Sequence, residues 1–558
     1  MTYPGISVRS KISQIRSYLD CFRTKVRKSY GLGTLIAALS SHPCYVVFAV
    51  GLTHRFVLWL RLRSSLLALM SHAPGNQTMQ LMPMQIYQHS FWTGLWLLQQ
   101  TPPVPHLIYR LVLLAGGWPF RTAEILCAMQ GIISLLAGVL LCSLIRRLVN
   151  SNAIALLFSL WFLLSTDLLV TEYAFYGQMF YEDLGMLGTL ACCWQACRLA
   201  QRNDADTITN SGVLGTLAAL TALTRSSLNF FPLAILPGAV MFLRTRSIVA
   251  LVLPILVLQG GWAAKNWVAL NRFTMEDSSW TGMNMAKGVF WANQDLLILK
   301  DIADAPSGIY PPWFQAIGHH YTFPFEVSKR QSLPPSLVKQ DEEMTDRLGY
   351  QAPWNLPSIA AESDAWRTAV VRFTKAHPLL FLQHFRKGYE FLWQRIADHS
   401  ALFAWNLLYV EPVDRPFPGL LSRGFSEKQQ VALNPLGVGA QPGREANLGT
   451  LSLAPLDALS ILALHFLLPL LVVVDCLRRR RRKSNYLSRG VIFLIPTSLY
   501  GLLIFSIGDG GENMRFRLSI EPVIIALTAV ILVGLWRAFY DMIALYRTHL
   551  KDRRAIIR

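Results

Sequence analysis

Apolar residues run along this chain in blocks of about 20, the length a helix needs to cross a hydrocarbon core. Ten such blocks stand out: 43–61, 122–145, 152–171, 177–199, 211–227, 229–243, 247–268, 455–476, 487–508 and 516–538. The pair 211–227 and 229–243 is short and reads as a tight, half-buried hairpin. The pattern predicts an all-α polytopic membrane protein of about ten transmembrane helices.

Two long polar stretches interrupt the blocks. Region 62–121 is rich in aromatics and amides, and its stretch 82–98 has apolar residues at helical spacing. That predicts an amphipathic helix lying in the membrane plane. A stiff break at Thr101-Pro102-Pro103-Val104-Pro105 follows, then a short helix over 106–116. Region 269–454 is long enough for a mixed loop domain on the outer side. It has Pro-Pro pairs at 311–312 and 334–335, and an amphipathic helix over 362–396 interrupted at Pro378.

Composition agrees with the pattern. The 558 residues are 53% hydrophobic and 15% charged, well below the roughly 25% charged residues of soluble chains. The mean hydropathy is +0.34. A soluble enzyme, a disordered chain and a coiled coil are excluded. The formal charge of +19 would suggest nucleic acid on a soluble protein, but its placement gives another reading. Segment 1–42 carries Arg9, Lys11, Arg16, Arg23, Lys25, Arg27 and Lys28 against Asp20. Further basic clusters are Arg146-Arg147, Arg198 with Arg202, Arg244 with Arg246, Arg478 to Lys483, and the tail 541–558. With ten alternating spans all of them fall on one side, the cytoplasmic one. Arg61 and Arg63 are the misfit and snorkel from the far end of the first span. Residues 270–454 hold 17 Lys/Arg and 18 Asp/Glu, a net of −1. No nucleic-acid partner is needed; membrane lipid is the partner the charge implies. The domain plan is therefore a cytoplasmic segment 1–42, a transmembrane core 43–268, an outer loop domain 269–454, C-terminal spans 455–540 and a basic tail 541–558.

The eight cysteines form no CxxC pair, so neither a disulfide framework nor a zinc site is indicated. His319-His320 has no third ligand at matching spacing, and no metal or other cofactor is expected. Residues 1–40 lack the apolar core and cleavage site of a signal peptide. Asn76-Gln77-Thr78 is a glycosylation sequon, relevant in a eukaryotic host.

Chemistry-bearing residues gather at the outer ends of spans, where a lipid-borne substrate presents its head group. After the third span the chain reads Thr171-Glu172-Tyr173-Ala174-Phe175-Tyr176-Gly177-Gln178, with Glu182-Asp183 further on. Inside a span those two acids are costly unless paired. Leu223-Thr224-Arg225 ends the fifth span, and a guanidinium there suits a phosphate. Glu172 also suits a plain solvent contact, and Arg225 simple snorkelling. Lys265-Asn266-Trp267 follows the seventh span and leads to Gly282-Met283-Asn284. Before the last span come Glu512-Asn513-Met514-Arg515-Phe516-Arg517 and Glu521-Pro522. His54 and Arg55 in the first span are the main mid-span charges, and Asp167, Asp457 and Asp475 lie towards span ends.

In these pieces, in their order and spacing from about 43 to 540, the chain resembles the GT-C superfamily of membrane glycosyltransferases. Protein O-mannosyltransferases and the lipid A aminoarabinose transferase are members, and the resemblance is to the uncharacterised bacterial branch. It implies transfer of a sugar from a polyprenyl phosphate to an acceptor on the outer face of the bacterial inner membrane, with inversion, in the service of a cell-envelope glycan. Such a displacement needs a base near the acceptor and a stabilised phosphate. Family members commonly place an acidic base in the first outer loop, yet no Asp or Glu occurs from 62 to 123. Glu172 is the preferred substitute, with His89 and His106 as alternatives. Arg225, Arg515 and Arg517 are the donor-phosphate candidates. Gln85, Tyr176, Lys265, Asn266, Asn284 and Glu512 are the substrate-cavity candidates. The missing loop carboxylate keeps a non-catalytic scaffold or lipid-glycan binder open as an alternative. A transporter of lipid-linked sugars is a third reading, weakened by scarce mid-membrane charge and no visible repeat.

Overall fold

The computed structural model describes residues 42–72, 82, 84–98, 102–116, 120–165, 168–169, 172, 180–201, 207–274, 282, 334–348, 356–393, 454–480, 490–508 and 517–557. Among these residues the chain is all-helical, without strands. Among the described residues five helices are long and apolar enough to cross a membrane: Pro43–Leu60, Ala128–Val149, Thr245–Leu270, Pro455–Cys476 and Glu521–Arg547. These coincide with five of the ten blocks. The other five blocks are also helical, but shorter or more charged. Asn152–Leu163 and Phe231–Phe242 have 12 residues each, about 18 Å at 1.5 Å per residue. Phe180–Gln201 carries Glu182 and Asp183 in its first turn. The architecture is compatible with an integral multi-pass membrane protein.

In chain order the first helices are α1 (Pro43–His72), α2 (Met84–His89), α3 (Phe91–Leu97), α4 (Pro103–Gly116), α5 (Phe120–Val149) and α6 (Asn152–Leu163). The middle of the chain forms α7 (Phe180–Gln201), α8 (Thr207–Ala222), α9 (Phe231–Phe242), α10 (Thr245–Ile255) and α11 (Gly261–Leu270). Then follow α12 (Pro335–Leu348), α13 (Pro357–Ala376), α14 (Pro378–Leu392), α15 (Ala454–Leu462), α16 (Leu468–Arg480), α17 (Val491–Gly508) and α18 (Glu521–Ile557). α10 runs into α11, and α15 into α16, through one π-helical turn each.

Local sequence explains the element ends. α5 stops at Asn150, whose φ of 54° is left-handed, a conformation asparagine tolerates. Ser151 then caps α6 by accepting from the Ile154 amide at 3.4 Å, so two residues join α5 to α6. Asn271, at φ 56°, closes α11 in the same way. The proline-rich stretch at 101–105 is not a break throughout: Pro103 opens α4 and Pro105 lies in its first turn. Proline is accommodated there because the first-turn amides have no intrahelical partner. The expected amphipathic helix 82–98 is divided at Ser90 into α2 and α3. The helix expected over 362–396 is divided at His377-Pro378 into α13 and α14.

α5 and α18 are the most enclosed of the five long helices, while α1, α10–α11 and α15–α16 show most of their surface. Phe48, Leu52 and Phe56 on α1 are exposed one turn apart, as are Leu462, Phe466 and Leu470 on α15–α16. Such rows suit lipid, which is as apolar as the side chains themselves. At one end of this bundle a second layer is built from both polar regions. Met82, Ile86, Tyr87 and Phe91 share an apolar core with Met344 and Leu348 of α12. Asp341 joins α12 to α13 by accepting from the Ser358 amide at 3.0 Å and the Ser358 hydroxyl at 2.6 Å. α14 lies against α17, and its last residue Leu392 and the following Trp393 enter the bundle core beside Phe493 and Phe505.

Backbones approach closely at two glycines. A Cβ on Gly215 of α8 would overlap the Leu251 carbonyl of α10, and one on Gly282 would overlap the Ser363 carbonyl of α13. By contrast, a Cβ on Gly261 would meet nothing within 4 Å. Gly215→Ala is expected to cost about 1–3 kcal/mol, the usual result of overpacking. Gly261→Ala is expected to be neutral or stabilising by about 0.5–1 kcal/mol. Thermal unfolding of the purified protein in detergent checks both signs.

Candidate functional site

Eight ionisable side chains converge at the end of the bundle that carries the second layer. They are Arg55, Arg225 and Arg517 with Glu172, Glu182, Asp183, Asp457 and Glu521, and all are buried. Four of the acids stand in first turns: Glu182 and Asp183 on α7, Asp457 on α15 and Glu521 on α18. A helix N-terminus presents free amides and the positive end of the dipole, which favours carboxylates there.

Three arginines answer these acids. Arg55 reaches from α1 to Glu172, with Nη2 2.7 Å from Oε1, while its Nη1 donates to the Leu163 carbonyl at 2.6 Å. Its stem lies beside Gly131 of α5. One residue earlier, Gln130 donates from Nε2 to Asp183 Oδ2 at 2.7 Å. Arg225 pairs with Glu182, and its guanidinium lies 5.6 Å from the centre of the Tyr181 ring. Arg517 is held twice, by Asp457 at 3.1 Å and by Glu521 at 2.7 Å, with Trp393 beneath it at 5.2 Å.

These pairs form one assembly. Glu182 and Asp183 are adjacent, so the first two groups meet on α7. Gly185, less than one turn on, lies against Leu228 and Ser519. Thr189 donates to the Ser519 carbonyl, which ties α7 to the turn carrying Arg517. The second layer is attached as well: the Val104 amide donates to the Leu223 carbonyl at 3.2 Å, two residues before Arg225. Lys265 donates to the Leu98 carbonyl at 2.7 Å and sits over the Trp262 ring at 3.9 Å. Asn266 donates to the Thr274 carbonyl at 2.8 Å.

Glu172, Arg225 and Arg517 are thus brought into the assembly, each with a partner that sequence reasoning did not assign. Lys265 and Asn266 instead hold the backbone at Leu98 and Thr274. His89 is the exposed last residue of α2, and Gln85 is on the same helix. Tyr176, Asn284, Glu512 and Arg515 lie outside the described residues, as does His319-His320. Gln130 carried no motif; its signal was an amide inside an apolar block. Among the described residues no three His, Cys, Asp or Glu side chains are grouped to hold a metal ion.

His106 is fully enclosed, with Nδ1 2.6 Å from the Tyr87 hydroxyl. Burial pushes its imidazole down to about 3, so the ring is neutral near neutrality. The unfolded chain binds a proton near 6.5 and the folded one does not. Stability from this residue is therefore complete above about pH 6.5 and falls by about 1.4 kcal/mol per unit as pH drops toward the folded value. His106→Gln is expected to flatten that acid limb in a melting-temperature series from about pH 7 to pH 4.

Comparison of the chain with protein-family models, with curated proteins and with solved structures found no match.

Proposed function

We propose that this chain is a membrane glycosyltransferase of the GT-C kind. It moves a sugar from a polyprenyl phosphate to an acceptor on the outer side of the membrane. The observation that carries the reading is the buried assembly of three arginines and five carboxylates at one end of an apolar helical bundle, joined to the second layer through Val104 and Leu223. Burying eight ionisable groups in a membrane protein is expensive, and such groups mark functional sites. The needs of the reaction match the groups at hand: a carboxylate to accept the acceptor's proton and guanidiniums to offset the leaving phosphate.

The helix directions fit ten spans with both termini in the cytoplasm. α7, α15 and α18 begin at the assembly and α8 ends there, as spans four, eight, ten and five do in that topology. Cysteines introduced at Ser71 and Ser336 should then react with a membrane-impermeant maleimide in intact cells, and one at Ser484 should not. The reverse labelling pattern would refute the orientation.

The activity is tested with purified protein in vesicles and a panel of farnesyl-phosphate-linked hexoses and N-acetylhexosamines. Release of farnesyl phosphate, to water or to an added hydroxyl acceptor, supports the reading. A second reading, a binder of lipid-linked glycans, is favoured by the arginines' being already neutralised by protein carboxylates. It expects farnesyl phosphate to bind without any sugar release.

A further inference from the structure

We infer that Asp183 takes the acceptor's proton, with Gln130 as its positioning residue, an assignment that rests on the transferase reading. Two buried carboxylates, Glu172 and Asp183, are held by Arg55 and Gln130. Glu172 gives one oxygen to the guanidinium at 2.7 Å. Asp183 gives one oxygen to the neutral amide of Gln130, also at 2.7 Å. Glu172 and Arg55 both lie within electrostatic reach of Asp183, so these four side chains are one group.

The remaining oxygens carry the inference. Asp183 Oδ1 is buried and has no hydrogen-bond partner among the described residues, and the same holds for Glu172 Oε2. Asp183 as a whole is fully buried. Ser134, one turn beyond Gln130 on α5, adds a buried hydroxyl likewise without a partner among them. Buried polar atoms are almost always satisfied, so a cluster of open ones calls for an explanation such as a ligand or a catalytic role. A group that brings a donor, such as a substrate hydroxyl, supplies what these oxygens lack.

The two acids are not equivalent. Glu172 is already engaged by the guanidinium of Arg55, whereas the hydrogen bond that holds Asp183 comes from an uncharged amide. In the transfer step the acceptor oxygen forms a bond to the anomeric carbon on the face opposite the phosphate. The bond from that carbon to the phosphate oxygen breaks, and its electron pair leaves with the phosphate. The hydroxyl proton passes to Asp183 Oδ1. Gln130 holds the opposite oxygen and so sets the direction of Oδ1. Glu172, fixed by Arg55, accepts a hydrogen bond from the same substrate without receiving the proton.

The test uses whichever farnesyl-phosphate sugar the wild-type protein hydrolyses in vesicles. Asp183→Asn, nearly the same in shape, is expected to slow release by about 10²–10⁴-fold, the usual loss of a positioned base, with KM little changed. Glu172→Gln is expected to retain measurable turnover with a raised KM. Formate should restore hydrolysis to Asp183→Ala and not to Asp183→Asn, a rescue that a merely structural carboxylate would not show. Gln130→Ala keeps Asp183 itself and should lower kcat while leaving KM near wild type, which covers the case in which the Asp183 variants fail to fold. Full turnover in Asp183→Asn, or its loss in Glu172→Gln alone, overturns this assignment and leaves the transferase standing. Absence of wild-type release from every donor overturns both.

Discussion

Arg517→Ala is expected to be the most destabilising single substitution in the assembly. Arg517 is 3% exposed; it donates a hydrogen bond to Asp457 and is ion-paired with Glu521 as well. Removing it leaves two buried carboxylates without their cation. Breaking one buried pair in this manner costs about 3–5 kcal/mol, and here two acids lose one partner. The same truncation uncovers Trp393, which anchors the end of α14 in the bundle. Thermal unfolding in detergent should therefore show a large fall in melting temperature, with earlier proteolysis within α13 and α14. Replacing all three, with Arg517→Met, Asp457→Asn and Glu521→Gln, should recover most of the loss, because buried charge sets are often replaceable when removed together. An unchanged melting temperature in Arg517→Ala would contradict this account of the pair.

Arg55→Ala is expected to cost nearly as much, for a different combination of reasons. Its guanidinium satisfies Glu172 and the Leu163 carbonyl together. Leu163 is the last residue of α6, where carbonyls have no intrahelical donor. A loss of about 3–5 kcal/mol is expected. Arg55→Ala with Glu172→Gln should be less damaging than the sum of the two changes, with a coupling of about 0.5–3 kcal/mol. Strict additivity would show that the pair contributes nothing. Because Gln130 and not Arg55 is hydrogen-bonded to Asp183, the folded fraction of Arg55→Ala should keep part of any sugar-release activity.

How far the site was legible can be judged residue by residue. Glu172, Arg225 and Arg517 stand out in the sequence because ionisable residues at the ends of apolar blocks are uncommon and costly. Glu182 and Asp183 stand out for the same reason, together with the inference that they need partners. The partners themselves were hidden. Arg55 and Glu172 are separated by 117 positions, Thr189 and Ser519 by 330, and neither periodicity nor charge sign selects such pairs. Gln130 was hidden further, since an uncharged amide barely alters the hydropathy of its block. The prolines at 101–105 misled in a specific manner: the same residues that stop a helix from within are tolerated in its first turn, and local sequence does not say which applies.

The apolar blocks, the basic clusters and the acids at block ends were determined by the sequence alone. Each is a local requirement: lipid demands long apolar helices, and buried charge is too costly to occur by accident. Which acid meets which arginine, that both polar regions form one layer, and that Asp183 is held by an amide were decided by tertiary structure. Those outcomes depend on how helices distant in sequence approach one another, at contacts such as Gly215 with Leu251 and Gly185 with Ser519. Close packing is a property of two surfaces at once, and neither surface contains it by itself.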